Sequence, residues 1–264
     1  MPLARADLES LLRSRKLDRT LTTALPQLDP PDANTSEYAV AATGVAAIDA
    51  CLSGGFPRGQ LSEIAGPRSS GRASLLLQML ATAIARGELV ALIDALDMLD
   101  VESAVRAGLD LDRLLWIRGH AVIHAGFCRD TNQRAIEQAI RALALVLSAG
   151  NFGLVVFDAG EAPPDALRRL PFTTWLRLQR LVEGGQTVCV LASSGPLARS
   201  ARGVTIKLGQ GGQVERPDQT GQSSRPDDIR LFPGLNVTMR VIRARARAHE
   251  ETTVAITTVA SHDA

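Results

Sequence analysis

Short runs of apolar residues alternate along the chain with longer stretches in which apolar side chains recur every three or four positions. The short runs hold Val, Ile, Leu and Ala with little polar alternation, which is typical of strands buried on both faces of a sheet. They predict strands over 60–66, 88–95, 113–119, 152–160 and 186–194. The periodic stretches predict helices over 43–52, 72–87, 101–110, 131–150 and 170–185. This alternation indicates the α/β class, with a mostly parallel central sheet covered by helices.

Changes in composition divide the chain into four predicted segments. They are an N-terminal helical arm with its linker (1–38), a core (39–208), a Gly/Pro-rich flexible linker (209–232) and a C-terminal β-strand extension (233–264). Within the arm, residues 5–24 predict an amphipathic helix that packs either on its own core or on another subunit or partner. The extension predicts two strands joined by a turn near Glu250.

Composition narrows the class of protein. The 264 residues are 45% apolar and carry a formal net charge of +1, so a large core can form and no global basic field marks a nucleic-acid binder. Three widely spaced cysteines favour a reducing cytoplasm over a disulfide or zinc framework. His120 and His124 predict loop or surface histidines rather than a metal site. We find no targeting or membrane-spanning signal, and predict a cytoplasmic protein.

The stretch GPRSSGRAS, residues 66–74, lies between a predicted strand and a predicted helix. Its glycines have the spacing of the phosphate-binding loop G-x-x-x-x-G-K-[ST], whose backbone N–H groups and helix N-terminus attract an anion. Arg72 stands where the lysine belongs and Ala73 where the magnesium-binding hydroxyl belongs. The candidate nucleotide-binding residues are Gly66, Pro67, Arg68, Ser69, Ser70, Gly71, Arg72, Ala73, Ser74 and Asp158.

The segments IDACLSGGFPRGQLSEIAGPRSSGRASLLLQ, VALIDALDMLD and AGLDLDRLLWIRG together resemble the core of RecA-type recombinases. The resemblance covers residues 40–208 and implies a RecA-like P-loop NTPase core. It also implies that Asp158, at the end of LVVFD, is the surviving Walker B carboxylate. The alternative is an acidic residue that caps a turn at the end of a strand.

Several residues depart from the RecA pattern. Leu96 follows Ile-Asp-Ala, where the family has the glutamate that activates water, and a leucine cannot accept a proton. Ser194 stands where the family has a glutamine that senses the γ-phosphate. A short segment containing Arg199 and Arg202 replaces the long DNA-binding loop. These departures predict that the chain has no catalytic residue and does not hydrolyse ATP efficiently.

The chain resembles the ImuA-type RecA homologues in its length, in its altered phosphate-binding loop and in its basic C-terminal strand pair. That resemblance implies an accessory role in the SOS response to DNA damage and in translesion synthesis, with RecA or an ImuB-like polymerase homologue as partner. No cofactor is assigned beyond ATP or phosphate held without efficient hydrolysis. The alternatives are a divergent ATP-binding, DNA-binding recombinase or ATPase, and a DNA-binding scaffold.

Arg243, Arg245 and Arg247 alternate with alanines, which places all three on one face of a predicted strand. One interpretation is a solvated edge strand whose charges prevent aggregation. The other is a basic stripe that contacts DNA weakly, or contacts an acidic partner.

Overall fold

A computed structural model of the chain describes residues 39–120, 129–198, 203–210, 236–243 and 253–257. All of them belong to the unit Tyr38–Ala264. The predicted N-terminal helix and nearly all of the predicted linker after residue 208 lie outside the described residues, so these predictions are untested.

The secondary structure follows the predicted alternation. The strands are β1 (Val40–Ala41), β2 (Phe56–Pro57), β3 (Gln60–Ala65), β4 (Val90–Asp94), β5 (Leu114–Arg118), β6 (Leu154–Asp158), β7 (Val188–Ser193), β8 (Thr205–Gln210), β9 (Asn236–Arg243) and β10 (Thr253–Thr257). The α-helices are α1 (Ala46–Cys51), α2 (Arg72–Ala85), α3 (Val101–Arg106), α4 (Arg129–Ala149), α5 (Pro164–Arg168) and α6 (Phe172–Val182).

Strands β3 to β10 form an eight-stranded sheet in the order β10-β9-β8-β3-β7-β6-β4-β5. The six strands from β8 to β5 are parallel, and β9 and β10 continue the sheet as antiparallel strands. The α/β class with a mostly parallel sheet is therefore confirmed. Strand β9 lies between β8 and β10, but the described pairs with β10 end at Arg240 and Arg243 pairs only with Thr205 of β8, so the two interpretations of the arginine stripe stay predictions.

Both faces of the sheet are covered, which explains the continuous apolar runs. Along β6, Val155 and Phe157 pack against one face with residues of α4, α5 and α6. Their neighbours Leu154 and Val156 pack on the opposite face with residues of α2. Each fully buried side chain of this size contributes about 1.5–3 kcal/mol to folding. The strands are thus held from both sides, and their ends are fixed in register.

Two local elements differ from the predicted ones. Helix α1 begins at Ala46 rather than near Thr43, because the Thr43 hydroxyl and backbone N–H both donate to Asp49 Oδ1, at 2.8 and 2.7 Å. Helix α5 was not predicted, since its proline-rich start suggests a turn, yet proline is well placed in a first helical turn.

No helix in the described ranges is both long enough and apolar enough to cross a bilayer.

An ion-pair network joins the segments that precede three strands. Arg58 Nη2 donates to Glu88 Oε1 at 2.6 Å, Arg58 Nη1 donates to the Gln186 carbonyl at 2.8 Å, and Arg86 Nε donates to Glu88 Oε1 at 3.0 Å. Burial raises the pKa of the Glu88 carboxyl, but the hydrogen bonds and charges of Arg86 and Arg58 outweigh it and hold that pKa below its ordinary value.

Replacing Glu88 with glutamine should flatten the acid dependence of stability. A depressed carboxyl pKa contributes stability that is present above the ordinary value of 4.5 and is lost as the pH falls below it. We expect E88Q to lose about 1 kcal/mol at neutral pH, and to lose less than the wild type on acidification. Urea unfolding from about pH 7 to pH 3 measures both. The control, E102Q, removes an exposed pair with Arg106 and should change neither.

Candidate nucleotide-binding site

The loop from Gly66 to Gly71 connects β3 to α2 at the carboxyl end of the parallel strands. The Gly66 N–H donates to the Ser193 carbonyl at the end of β7, at 3.0 Å. Ser69 and Gly71 adopt left-handed backbone conformations, with φ of +60° and +81°. The second of these explains the glycine immediately before the helix. The Ser70 side chain is buried, and its hydroxyl has no hydrogen-bond partner in the described part of the chain.

The Arg72 side chain turns into the protein. The residue as a whole is 8% exposed, and the side-chain Nη1 donates to the Gly66 carbonyl and, at 3.4 Å, to the Ser193 carbonyl. Its guanidinium lies against Gly160, where a Cβ atom would overlap it. The Arg72 cation is therefore bound by carbonyl oxygens at the strand ends.

Glu161 supplies the negative charge that this cation needs. Its Oε1 accepts from Arg72 Nη2 at 3.0 Å, and its Oε2 lies 3.7 Å from Arg68 Nε. The Arg68 side chain is 70% exposed, whereas the Arg72 side chain is 9% exposed. One carboxylate thus contacts both arginines, and only its pair with Arg72 is close and shielded.

The residues present do not fit a bound magnesium ion. Ala73 has no ligating oxygen, and both Ala73 and Ser74 are exposed at the start of α2. Asp158 Oδ1 already accepts the Gly160 N–H at 2.8 Å. Burial raises the pKa of the Asp158 carboxyl, against the effect of that hydrogen bond and of the Arg72 charge, so the charged form that a metal requires is disfavoured.

Leu96 is part of the hydrophobic core. It follows β4, is 8% exposed and packs among the apolar residues between the sheet and α4. The adjacent Asp97 is exposed and forms a two-pronged ion pair with Arg118, with both N–O distances 2.7 Å. That contact holds the pKa of the Asp97 carboxyl below its ordinary value. Neither side chain offers a base to the loop.

The segment after β7 is fastened by a buried carboxylate that sequence reasoning missed. Glu63 Oε1 accepts the N–H groups of Leu197 and Ala198, both at 2.7 Å, and its Oε2 accepts the Thr205 hydroxyl at 3.1 Å. Ser194 is exposed and offers no long side chain toward the loop.

Several predicted residues cannot be placed. Four arginines and one histidine lie outside the described residues, namely Arg199, Arg202, Arg245, Arg247 and His124. For Arg243, only the backbone of the strand is described. Within the described ranges, no group of three or more potential ligands could hold a metal ion.

A cavity of about 290 Å³ adjoins the start of α2. It is mostly apolar and lies between α1, α2, α3 and the strands β8 and β9. Gly71 and Ser74 belong both to this cavity and to the candidate site, so a ligand at the loop could extend into it.

Glu161 and Gly160 were not predicted as site residues. The only signal in the sequence was their position just after a strand that ends in Asp158, because the carboxyl ends of parallel strands meet at one edge of a sheet. Their role depends on which way the Arg72 side chain points, and Arg72 lies 89 positions before Glu161, so local sequence does not link them.

Replacing Gly160 with alanine should displace the Arg72 guanidinium. The backbone there permits alanine, so the cost is that of the lost Arg72 contacts, about 1–3 kcal/mol in the free energy of unfolding. In an R72A background the same change should cost almost nothing. Chemical denaturation of the four proteins measures the coupling. The control is G195A, where an added Cβ meets no atom within 4 Å. Equal costs in both backgrounds would contradict this packing.

Comparisons with known proteins identify the family and support the fold of the chain. A family model for the RecA N-terminal domain matches residues 27–162. Protein RecA of Clavibacter michiganensis is 35% identical over 156 residues, which cover 55% of this chain and 39% of that protein. Protein RecA of Mycobacterium ulcerans is 37% identical over 121 residues, which cover 46% of this chain and 31% of that protein. The chain thus spans roughly a third to two fifths of these relatives.

Among solved structures, the crystal structure of the RadB recombinase superposes with a TM-score of 0.56. The match covers 83% of this chain and 96% of that one, at 20% sequence identity, and therefore speaks for the fold alone. The family model, which matches more than half of the chain, carries the assignment. The chain belongs to the RecA N-terminal domain family.

Proposed function

We propose that this chain is a RecA-like accessory protein of DNA repair that does not hydrolyse ATP. It acts in the DNA-damage (SOS) response and in translesion synthesis by binding a protein partner, either RecA or an ImuB-like polymerase homologue. The role in DNA repair is proposed from the relatives, which are named RecA and RadB recombinase. The accessory role is proposed from the chemistry of the site.

The burial of Leu96 is the observation that carries this proposal. Hydrolysis requires a group that orients or deprotonates the attacking water. The position where the RecA pattern has that group is occupied here by a core side chain, 8% exposed and packed between the sheet and α4. A glutamate could not replace it without burying a carboxylate in an apolar cluster.

The use of Arg72 inside the fold supports the same proposal. A P-loop lysine acts as a point charge on the phosphates during transfer. Arg72 instead binds the carbonyls of Gly66 and Ser193 and the carboxylate of Glu161. A preserved fold without these catalytic groups suits a protein that presents RecA-like surfaces to partners.

ATP hydrolysis and partner binding test this function together. We expect phosphate release by the purified protein to stay at the buffer background, with and without single-stranded DNA. In the same preparations, RecA or the ImuB-like protein from the same genome should bind the immobilised chain. R72A should still bind the partner, because the proposed interaction does not depend on phosphate binding at the loop. Hydrolysis stimulated by single-stranded DNA, or failure to bind either partner, would contradict the proposal.

A second candidate function, ATP binding without an accessory role, is favoured by the cavity beside α2. The cavity is apolar, shares Gly71 and Ser74 with the site and has room for a flat ring system. A nucleotide bound there would place its phosphates at the loop and its base between α2 and α3.

Filling this cavity distinguishes a nucleotide from a bare phosphate chain. Ala107 lines the cavity from the end of α3, so A107L should occupy the space that a base would need. If the second function is correct, A107L weakens ATP binding by about tenfold or more and leaves tripolyphosphate binding unchanged. Isothermal titration of both ligands measures this. Equal effects on the two ligands would exclude a base in this cavity.

A further inference from the structure

The loop already contains an anion, and that anion belongs to the chain itself. Glu161 places one carboxylate oxygen 3.0 Å from Arg72 and the other 3.7 Å from Arg68. Its side chain is 26% exposed, so the carboxylate lies at the surface of the site, whereas the inner guanidinium is shielded from water. An incoming anion meets this internal ion pair before it can meet the Arg72 cation.

The inner half of the pair is held in place by burial. A buried guanidinium without a counter-charge strongly destabilises a fold. Apart from Glu161, the described hydrogen-bond partners of Arg72 are the neutral carbonyl oxygens of Gly66 and Ser193, and the nearby Asp158 carboxyl interacts with its charge through space. Removal of the Glu161 charge would therefore leave a buried cation without its hydrogen-bonded counter-charge, which a suitable anion could replace.

The loop around this pair keeps features that attract anions. Helix α2 is 14 residues long and has no acidic residue in its first turn, so the partial positive charge of its N-terminus is not offset there. Ser70 is 1% exposed and lies against Gly66, with a hydroxyl that has no hydrogen-bond partner among the described residues. Features that attract anions, and a carboxylate that contacts both Arg72 and Arg68, are therefore present together.

We propose that Glu161 is an internal competitor for this anion site and makes it selective for polyphosphate chains. A singly charged anion would exchange one carboxylate for an equal charge and gain nothing. A polyphosphate brings several charges and acceptor oxygens, and can bind both arginines and the backbone N–H groups after Glu161 leaves. The inference rests on the proposed function only in taking the loop to be a binding site without hydrolysis.

The test compares the full chain with E161Q, which keeps the shape of the side chain and removes its charge. By isothermal titration, we expect E161Q to bind inorganic tripolyphosphate about tenfold more tightly than the wild type, because no ion pair has to break. Inorganic phosphate, which has fewer charges and acceptor oxygens than tripolyphosphate, should bind E161Q more tightly than the wild type, and should bind both more weakly than tripolyphosphate does. Without ligand, E161Q should melt at a lower temperature, and tripolyphosphate should raise its Tm by more than that of the wild type.

Matched controls separate the competitor from a general charge effect. D165N removes a negative charge from the same region, on an exposed side chain at the start of α5, and should leave tripolyphosphate affinity unchanged. ATP should gain as much as tripolyphosphate in E161Q, since the competition concerns the phosphate chain. If E161Q does not fold, E161D lengthens the ion pair and should show a smaller gain in the same direction.

Three results would overturn the proposal: no gain in E161Q or E161D, an equal gain in D165N, or a gain with ATP alone. Phosphate release measured on the same samples keeps the two proposals apart. Hydrolysis by E161Q with tighter tripolyphosphate binding would reject the proposed function and support the competitor. Absence of hydrolysis without any gain in affinity would reject the competitor alone.

Discussion

The buried guanidinium of Arg72 connects the parts of the chain on which the candidate site depends. It joins the end of β3 through the Gly66 carbonyl, the end of β7 through the Ser193 carbonyl, and the segment after β6 through Glu161. These strands are neighbours in the sheet, so the cation lies where their carboxyl ends meet. A charge buried in this way is tolerated only with a counter-charge and full hydrogen bonding. Glu161 supplies the counter-charge, the carbonyls of Gly66 and Ser193 accept hydrogen bonds, and Gly160 leaves the space that the guanidinium occupies.

Three positions near the same sheet edge differ from the pattern of a P-loop enzyme. In a working P-loop enzyme, the cation, the metal ligands and the water-activating base all face the bound phosphates. Here the cation faces inward, position 73 is an alanine, and Leu96 packs into the core. Arg72 adds internal pairing and Leu96 adds packing, whereas Ala73 is exposed. The pairing of Arg72 and the packing of Leu96 therefore help to stabilise this edge.

Much of the fold could be predicted from the sequence because the strands are buried on both faces. Their continuous apolar runs are unlike the amphipathic helices that separate them. The order of strands and helices along the chain, and the α/β class, could therefore be predicted from periodicity. Helix α5 escaped because its prolines suggest a turn, although they fit a first helical turn. The position of β9 between β8 and β10 was not predicted, because the pairing of distant strands is set by tertiary packing, which local sequence patterns do not contain.

For the site, the glycine spacing located the loop but could not orient Arg72. An arginine at that position can reach outward to a phosphate or inward to carbonyl oxygens, and local sequence does not distinguish the two. The outcome is decided by Gly160 and Glu161, which are distant in sequence and close in space. The role of Glu63 likewise depends on distant residues, because its buried carboxylate accepts the N–H groups of Leu197 and Ala198. Ion pairs and buried polar contacts between distant elements are the part of a site that composition and spacing leave undetermined.

The position of Glu161 also relates stability to binding. A loop that exposes a free cation and a free helix N-terminus attracts anions but leaves its own charge unsatisfied when empty. A loop neutralised by its own carboxylate is stable when empty, and each ligand must do better than that carboxylate. The internal pair therefore lowers affinity for every anion while it stabilises the fold.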